Sequence, residues 1–168
     1  MSPIPPLSAR LRLQTAEATA ALARRLAPLL GAGDVLALSG PVGAGKSTFA
    51  RALIKHLLAR EGRDEDVPSP TFTLVQSYDA AGVEIWHCDL YRLTHADEVL
   101  ELGLDAAFEE ALCLVEWPDR LGGDLPCTAL SLDFAPDPQG EARNLTVTWS
   151  DDRWSPRLSL LAEIPHAD

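Results

Sequence analysis

Apolar residues recur along the chain with two different periods, and these periods predict helices and strands. Residues 15–30 form a predicted helix, because one of its faces collects Ala18, Leu22, Leu26 and Leu29. Thr15 is the candidate N-cap of this helix. A second predicted helix covers residues 47–60. Between them, residues 35–39 are a continuous apolar run of strand length, which is typical of a buried parallel strand.

The second half of the chain is predicted to hold further strands and two short helices. Residues 71–78 and 82–91 are β segments separated by the turn residues 79–82, which predicts an antiparallel hairpin. Residues 112–117 are another buried strand, and Pro118 ends it. Two short helices are predicted at residues 95–103 and 104–111, and two final β segments at residues 128–134 and 143–149.

Composition is that of an ordinary globular domain. The chain has 168 residues, of which 46% are hydrophobic and 23% charged. We expect one domain over residues 13–150, a flexible Pro-rich segment over residues 1–12 and a polar tail over residues 151–168. No apolar stretch reaches the roughly 18 residues that cross a bilayer, and the N-terminal residues show no signal-peptide pattern. The sparse cysteines form no C-x-x-C pair, so we expect a cytoplasmic protein.

Net charge restricts the possible partners. The formal charge is −11 and the isoelectric point is near 4.7. Proteins that grip nucleic acid through its phosphates usually present a basic surface. We therefore expect any contact with nucleic acid to be indirect, and we expect neither DNA nor membrane as a partner.

The segment GPVGAGKST, which follows the predicted strand at residues 35–39, carries the clearest chemistry. It fits G-x-x-x-x-G-K-[ST], a loop whose glycines let successive backbone N–H groups point at phosphate oxygens. Lys46 is the candidate for the β- and γ-phosphates, and the Ser47 hydroxyl is the candidate Mg²⁺ ligand. The predicted nucleotide-binding residues are Pro41, Val42, Gly43, Ala44, Gly45, Lys46, Ser47 and Thr48.

Acidic residues end two of the predicted strands. Asp89 and Glu116 each close an apolar run, at the strand ends where ligands of open α/β sheets usually lie. Beside a phosphate loop, both are candidates for holding the metal and positioning water. Thr71 follows the loop after the second helix, where nucleotide switches often carry a threonine. His87 is interpreted as structural, and Trp117 with Pro118 as core and strand termination.

Taken in order, these segments resemble the TsaE family, also called YjeE. The resemblance rests on SGPVGAGKST, SPTFTLVQSY, HCDLYRL, ELGLDAAFEEALCLVEWPDRL and ARNLTV, and covers about residues 13–150. It implies an α/β P-loop NTPase-like sheet with flanking helices and mixed parallel and antiparallel strands. It also implies a slow, Mg²⁺-dependent ATPase in threonylcarbamoyladenosine (t6A37) modification of tRNA, with the proteins TsaB and TsaD as partners.

The resemblance also implies roles for individual residues. Ser47 and Glu116 match Mg²⁺ ligands, and Asp89 matches an acid implicated in hydrolysis. Thr71 lies in the first switch. Thr15 and Arg143 fall near the adenine pocket.

Three other functions share the phosphate loop. A small-molecule or nucleotide kinase usually has an arginine-bearing lid, but residues 93–110 contain neither arginine nor lysine. A GTPase would carry N-K-x-D, which is absent, and the D-x-x-G spacing at residues 119–122 comes after Pro118. A non-enzymatic module whose partner binding depends on ADP or ATP is the third alternative.

Overall fold

The computed structural model describes residues 7–95 and 97–166, which form one seven-stranded sheet in the order β1-β7-β6-β2-β5-β4-β3. The strands are β1 (Leu7–Leu13), β2 (Val35–Ser39), β3 (Val75–Ala80), β4 (Val83–Asp89), β5 (Leu112–Glu116), β6 (Leu130–Pro136) and β7 (Arg143–Trp149). The helices are α1 (Ala16–Leu26), α2 (Lys46–Ala59), α3 (Asp97–Leu102), α4 (Leu104–Glu110) and α5 (Trp154–Arg157). Three 3-10 segments cover Ala27–Leu29, Pro118–Asp124 and Leu158–Glu163.

The sheet is mixed, as the sequence predicts. β2 pairs in parallel with β5 and β6, and β4 pairs in parallel with β5. The other three pairs, β1–β7, β6–β7 and β3–β4, are antiparallel. The predicted α/β fold with mixed strands and flanking helices is therefore confirmed.

Both faces of the sheet are covered, which explains why the central strands are continuous apolar runs. Leu36 and Leu114 belong to the core cluster that includes α1 and α2, whereas Val35 and Cys113 belong to the cluster that includes α4. Successive residues of a strand point to opposite faces, so each central strand contributes to both clusters. Among the residues that the structure describes, no helix has both the length and the apolar character that a membrane crossing requires.

The chain ends are more ordered than the sequence suggests. Residues 7–12, predicted to be flexible, belong to β1, which pairs along its whole length with β7; residues 1–6 lie outside the described part of the chain. The polar tail carries α5 and a 3-10 segment. Trp154 is fully buried, with its Nε1 donating to the Thr128 carbonyl at 2.8 Å. Asp34, at the start of β2, accepts hydrogen bonds from Arg153 and Arg157. These contacts hold the tail against the domain; residues 167 and 168 are outside the described range.

The predicted hairpin is confirmed, but its first strand is shorter than predicted. β3 and β4 pair antiparallel around a two-residue turn at Ala81 and Gly82, which both have positive φ. Residues 71–74, predicted as strand, form a turn instead. The Leu74 amide donates to the Pro70 carbonyl at 2.8 Å, and Leu74 has a φ of 67°. This turn keeps Thr71 outside the strand pairing.

Candidate functional site

A cleft of about 450 Å³ opens at the carboxyl ends of β4 and β5, beside the start of α2. Parallel strands end at the same sheet edge, so residues far apart in the sequence meet there. The cleft is lined by Ala16, Thr19, Val42, Gly43, Gly45, Lys46, Ser47, Thr48, Thr71, Asp89, Tyr91, Glu116, Trp117, Glu141 and Arg143. Most of the predicted site residues are therefore brought to one place.

The glycine-rich loop runs from the end of β2 into α2 and packs closely against β6. Gly40 has a φ of 138°, and a Cβ on this residue would lie 2.4 Å from the Phe134 carbonyl oxygen. Only glycine fits such a position without displacing backbone. α2 then begins at Lys46, with Ser47 and Thr48 in its first turn. The positive end of the helix therefore faces the cleft, as an anion site requires.

Lys46 is the buried cation of the cleft, with a relative exposure of 4%. Its ammonium donates a hydrogen bond to the Gly40 carbonyl and lies 3.6 Å from the centroid of the Trp117 ring. Burial lowers the pKa of Lys46, because it disfavours the charged form, and the negative charges of Glu116, Asp89 and Asp119 oppose that effect. A phosphate group would add negative charge at the same position.

The two strand-end acids are direct register partners on the neighbouring strands β4 and β5. Glu116 is 2% exposed and accepts a hydrogen bond from the Ser47 hydroxyl at Oε1, over 3.0 Å. Its other oxygen, Oε2, lies 2.7 Å from His87 Nε2. Glu116 is therefore held at both oxygens, between the first turn of α2 and the interior of the sheet.

Asp89 joins the turn at residues 70–74 to the cleft. Its Oδ2 accepts from the Thr71 hydroxyl at 3.3 Å, and its Oδ1 accepts from the Tyr91 amide at 3.0 Å. The Asp89 amide donates to the Leu74 carbonyl at 2.9 Å, and a second hydroxyl, that of Ser69, lies 2.9 Å from Thr71 Oγ1. The candidate switch residue is thus in contact with the candidate hydrolytic acid.

Trp117 and Tyr91 are cleft residues that the sequence analysis did not assign to the site. Their ring centroids lie 4.8 Å apart, and Trp117 has left-handed backbone dihedrals, with φ at 59° and ψ at 52°. Trp117 was expected to fill the core after the strand ended. The left-handed conformation turns the chain sharply after Glu116. The partly buried ring packs against the core cluster that includes α4, as expected, and it also lines the cleft. Hydrophobicity and periodicity do not reveal such a backbone reversal.

The opposite side of the cleft contains α1 and the start of β7. Arg143 donates to the Gly43 carbonyl at 3.1 Å and to the carbonyls of Glu141 and Ala142, so it joins β7 to the phosphate loop. Ala16 and Thr19 line this end of the cleft. Thr15 is not among the lining residues; its hydroxyl caps α1 by accepting from the Ala18 amide at 3.0 Å.

Two loop residues named from the motif are also outside the lining. The side chain of Ala44 is fully buried, and the Pro41 carbonyl accepts a hydrogen bond from the Ala44 amide at 3.1 Å in a turn. Pro41, Ala44 and Thr15 therefore shape the loop and helix that border the cleft, and direct nucleotide contact by them stays a prediction.

The cleft residues fit a Mg²⁺ ion bound together with a nucleotide. Within residues 7–95 and 97–166, no group of three or more histidine, cysteine or carboxylate side chains is placed to hold a metal alone. Mg²⁺ keeps several waters and binds substrate phosphates, so it needs few protein ligands. Ser47 Oγ and Glu116 Oε1 are 3.0 Å apart. Adjacent oxygens of an octahedral Mg²⁺ site, with bonds of about 2.0–2.1 Å, have a similar separation.

Comparison with known proteins identifies the family. The family model for "Threonylcarbamoyl adenosine biosynthesis protein TsaE" matches residues 13–145 of the chain. The chain belongs to the TsaE family. The matched range includes the phosphate loop, both strand-end acids and Arg143, so every cleft residue lies within the part that the TsaE family shares.

Several curated proteins named "tRNA threonylcarbamoyladenosine biosynthesis protein TsaE" are similar to the chain. The Rickettsia felis protein is 41% identical over 109 residues, which are 65% of this chain and 62% of that protein. The Streptomyces coelicolor protein is 37% identical over 140 residues, which are 80% of this chain and 92% of that protein. The chain thus spans less than two thirds of the Rickettsia felis relative and most of the Streptomyces relative.

A solved structure has the same fold. The crystal structure of Bacillus subtilis YdiB superposes with a TM-score of 0.75 at 29% sequence identity, and it covers 95% of this chain and 97% of that one. Because coverage is nearly complete, the similarity extends to β1 and the C-terminal helix, beyond the residues matched by the family model.

Proposed function

We propose that the protein is a Mg²⁺-dependent ATPase that supports t6A37 modification of tRNA through a TsaB–TsaD complex. The observation that carries this proposal is the contact between the Ser47 hydroxyl and the Glu116 carboxylate at the cleft. It joins the first turn of a helix after a glycine-rich loop to an acid at the end of a parallel strand. P-loop nucleoside triphosphatases hold Mg²⁺ with such a hydroxyl and such an acid. The names of the relatives support the pathway.

In this proposal the loop and Lys46 bind the phosphates of ATP. The loop and the first turn of α2 offer backbone N–H groups to the phosphate oxygens. Lys46 would exchange its bond to the Gly40 carbonyl for the β- and γ-phosphates. Because its ammonium is desolvated beside Trp117, the charge attracts phosphate more strongly than an exposed lysine would.

Hydrolysis is assigned to the two acids and the turn beside them. Mg²⁺, when bound by Ser47 and Glu116, would neutralise charge that develops on the phosphate oxygens. Asp89 lies beside Glu116 on the neighbouring strand and is held by Thr71 and the Tyr91 amide. In this proposal its carboxylate orients an attacking water by accepting one of its hydrogens. Thr71, which contacts Asp89 from a turn, would respond to the γ-phosphate as a switch residue.

We expect the isolated protein to hydrolyse ATP slowly. Three arginines lie in or near the cleft, and each already contacts other groups of the protein. Arg143 binds loop and strand carbonyls, Arg92 lies 5.3 Å from the Phe72 ring centroid, and Arg120 lies 5.7 Å from that of Tyr91. An arginine supplied by a partner raises phosphoryl-transfer rates by about 10³–10⁵ in other nucleotide hydrolases. Stimulation by a TsaB–TsaD complex is therefore part of the proposal.

The net charge of −11 supports indirect handling of tRNA. A polyanion is repelled on average by such a surface, and its binding would release few counterions. We therefore assign the tRNA contact to the partner proteins.

The test compares Glu116→Gln with Glu110→Gln, which makes the same change at an exposed residue before β5. A neutral amide is a poor ligand for a hard cation, so Glu116→Gln should bind ATP but lose about 10²-fold or more of its hydrolysis rate. Glu110→Gln should match the wild type. Hydrolysis is measured by phosphate release, and t6A by multiple-turnover modification of tRNA with TsaB and TsaD. Equal t6A yields from both variants and the wild type would refute the proposal.

A further inference from the structure

His87 is a fully buried histidine that contacts the site without lining the cleft. It lies on β4 with a relative exposure of 0%, and its Nε2 is 2.7 Å from Glu116 Oε2. Its other ring nitrogen, Nδ1, is buried and has no hydrogen-bond partner among the described residues. The contact with Glu116 is therefore the polar interaction that the structure gives to this imidazole.

Strand register brings the two residues together. In the parallel pair β4–β5, His87 lies opposite Leu114, and Asp89 lies opposite Glu116. Alternate residues of a strand share a face, so His87 and Glu116 are diagonal neighbours on the face that also carries Asp89. This is the face covered by α2, which carries Ser47. The imidazole thus approaches Glu116 from the interior of the sheet, and the hydroxyl approaches it from the helix.

The two contacts leave the Glu116 carboxylate little freedom to rotate. Oε2 is bonded to His87, and Oε1 is bonded to Ser47. Binding of a cation by the Ser47 hydroxyl and Oε1 would replace the hydrogen bond between them. The bond from His87 does not involve those atoms, so it would keep the carboxylate in the same orientation.

We propose that His87 is a positioning residue that holds Glu116 so that Oε1 faces the cation. This inference rests on the proposed function, because it takes Glu116 as a Mg²⁺ ligand. In this arrangement Nε2–H donates to Oε2, and Nδ1 has no hydrogen-bond partner among the described residues. Groups that orient a metal ligand in this way typically change metal affinity by about 10- to 100-fold when they are removed.

A purely structural histidine is the competing explanation, and the unpaired Nδ1 argues against it. A buried polar atom without a partner costs stability, and an apolar side chain at this position would avoid that cost. The imidazole therefore contributes something that packing alone does not require. Its contact with a strand-end acid of the cleft indicates what that contribution is.

The test uses His87→Gln and His87→Asn, a matched pair of amides. The Gln amide nitrogen reaches about as far as Nε2 and keeps the donor, whereas the shorter Asn amide places its nitrogen nearer to Nδ1. Calorimetry measures binding of AMP-PNP, a non-hydrolysable ATP analogue, over a range of Mg²⁺ concentrations and in EDTA. His87→Asn should raise the Mg²⁺ concentration at half-effect by about 10- to 100-fold, with unchanged affinity in EDTA. His87→Gln should stay within about threefold of the wild type.

A protein that already lacks the Glu116 carboxylate separates a positioning role of His87 from a general loss of structure. In Glu116→Gln, the further change His87→Asn should have no additional effect on the Mg²⁺ dependence, because the group that it positions is already lost. Circular dichroism checks that each variant is folded. If His87→Asn does not fold, His87→Leu takes its place, since it removes the donor and retains an apolar volume.

Two results overturn the proposal in different ways. A folded His87→Asn or His87→Leu protein with the Mg²⁺ dependence of the wild type would show that His87 does not position Glu116, while the proposed ATPase would stand. Wild-type protein that binds AMP-PNP with Mg²⁺ no better than Lys46→Ala would refute the proposed function and this inference together.

Discussion

Gly40 connects β2 to the phosphate loop, and its replacement by alanine should cost much more stability than the same change at Gly43. A Cβ on Gly40 would lie 2.4 Å from the Phe134 carbonyl oxygen, in a backbone with φ at 138°. Phe134 is fully buried in β6, opposite Leu145 of β7, so the sheet resists the required shift. A Cβ on Gly43 would meet no atom within 4 Å, although its φ is also positive, at 80°.

The two contacts translate into different energies. At Gly40, backbone strain of about 1–3 kcal/mol adds to about 1–3 kcal/mol for forcing atoms into packed structure, which together is about 2–6 kcal/mol. At Gly43, only the left-handed backbone contributes, at about 1–2 kcal/mol. A domain of this kind has a free energy of unfolding of about 5–15 kcal/mol, so both variants should remain folded without denaturant unless the wild type is near the lower limit.

Urea unfolding followed by circular dichroism measures the difference. Both variants should keep the slope of the wild type, and the Gly40→Ala midpoint should be clearly the lower one. AMP-PNP binding should weaken in Gly40→Ala, because the displaced loop no longer directs its amides at the phosphates. Free energies of unfolding within about 0.5 kcal/mol of each other would contradict the close approach of Gly40 to the Phe134 carbonyl and the role assigned to Gly40.

Two further predictions concern the lysines and the cysteines. Lys46→Ala should weaken ATP binding by about 10- to 100-fold in calorimetry, since a charge-assisted phosphate contact contributes about 1.5–3 kcal/mol. The control Lys55→Ala changes an exposed lysine of the same helix and should leave ATP affinity unchanged. Equal losses of affinity in the two variants would contradict the assignment of Lys46 to the phosphates. Burial raises the pKa of the Cys113 thiol to about 12, and it raises the pKa of Cys88 well above its ordinary 9.0. Both thiols should therefore stay unreactive towards Ellman's reagent at pH 8, whereas the exposed Cys127 should react. Unfolded chains ionise these thiols at lower pH than folded ones, so stability should also fall as pH rises above about 9; rapid reaction of a second thiol in folded protein would refute the burial.

Elements whose information is local could be predicted from short stretches of the sequence. The glycine-rich loop predicted the start of α2 to within one residue, since Lys46 opens the observed helix. Apolar runs predicted β2 and β5, and the acids that close two such runs identified Asp89 and Glu116 as site candidates. Each of these predictions depends on a short stretch of chain, in which spacing and residue type limit the backbone conformation.

The pairing of distant segments could not be predicted in this way. β1 was missed because its Pro-rich surroundings predict loop, and it becomes a strand through pairing with β7, more than 130 residues later in the chain. Likewise, Arg153 and Arg157 order the tail only because the fold brings them to Asp34. Such contacts leave no periodic signal in either partner, since each segment is compatible with several environments until the other is in place.

The same limit applies within the site. Trp117 reaches the cleft through a left-handed backbone conformation, and His87 reaches Glu116 through the register of two parallel strands. The sequence showed that these residues exist near the strand-end acids, but not which way they point. Side-chain direction depends on register and on backbone dihedrals, and both are set by packing of the whole sheet rather than by neighbouring residues.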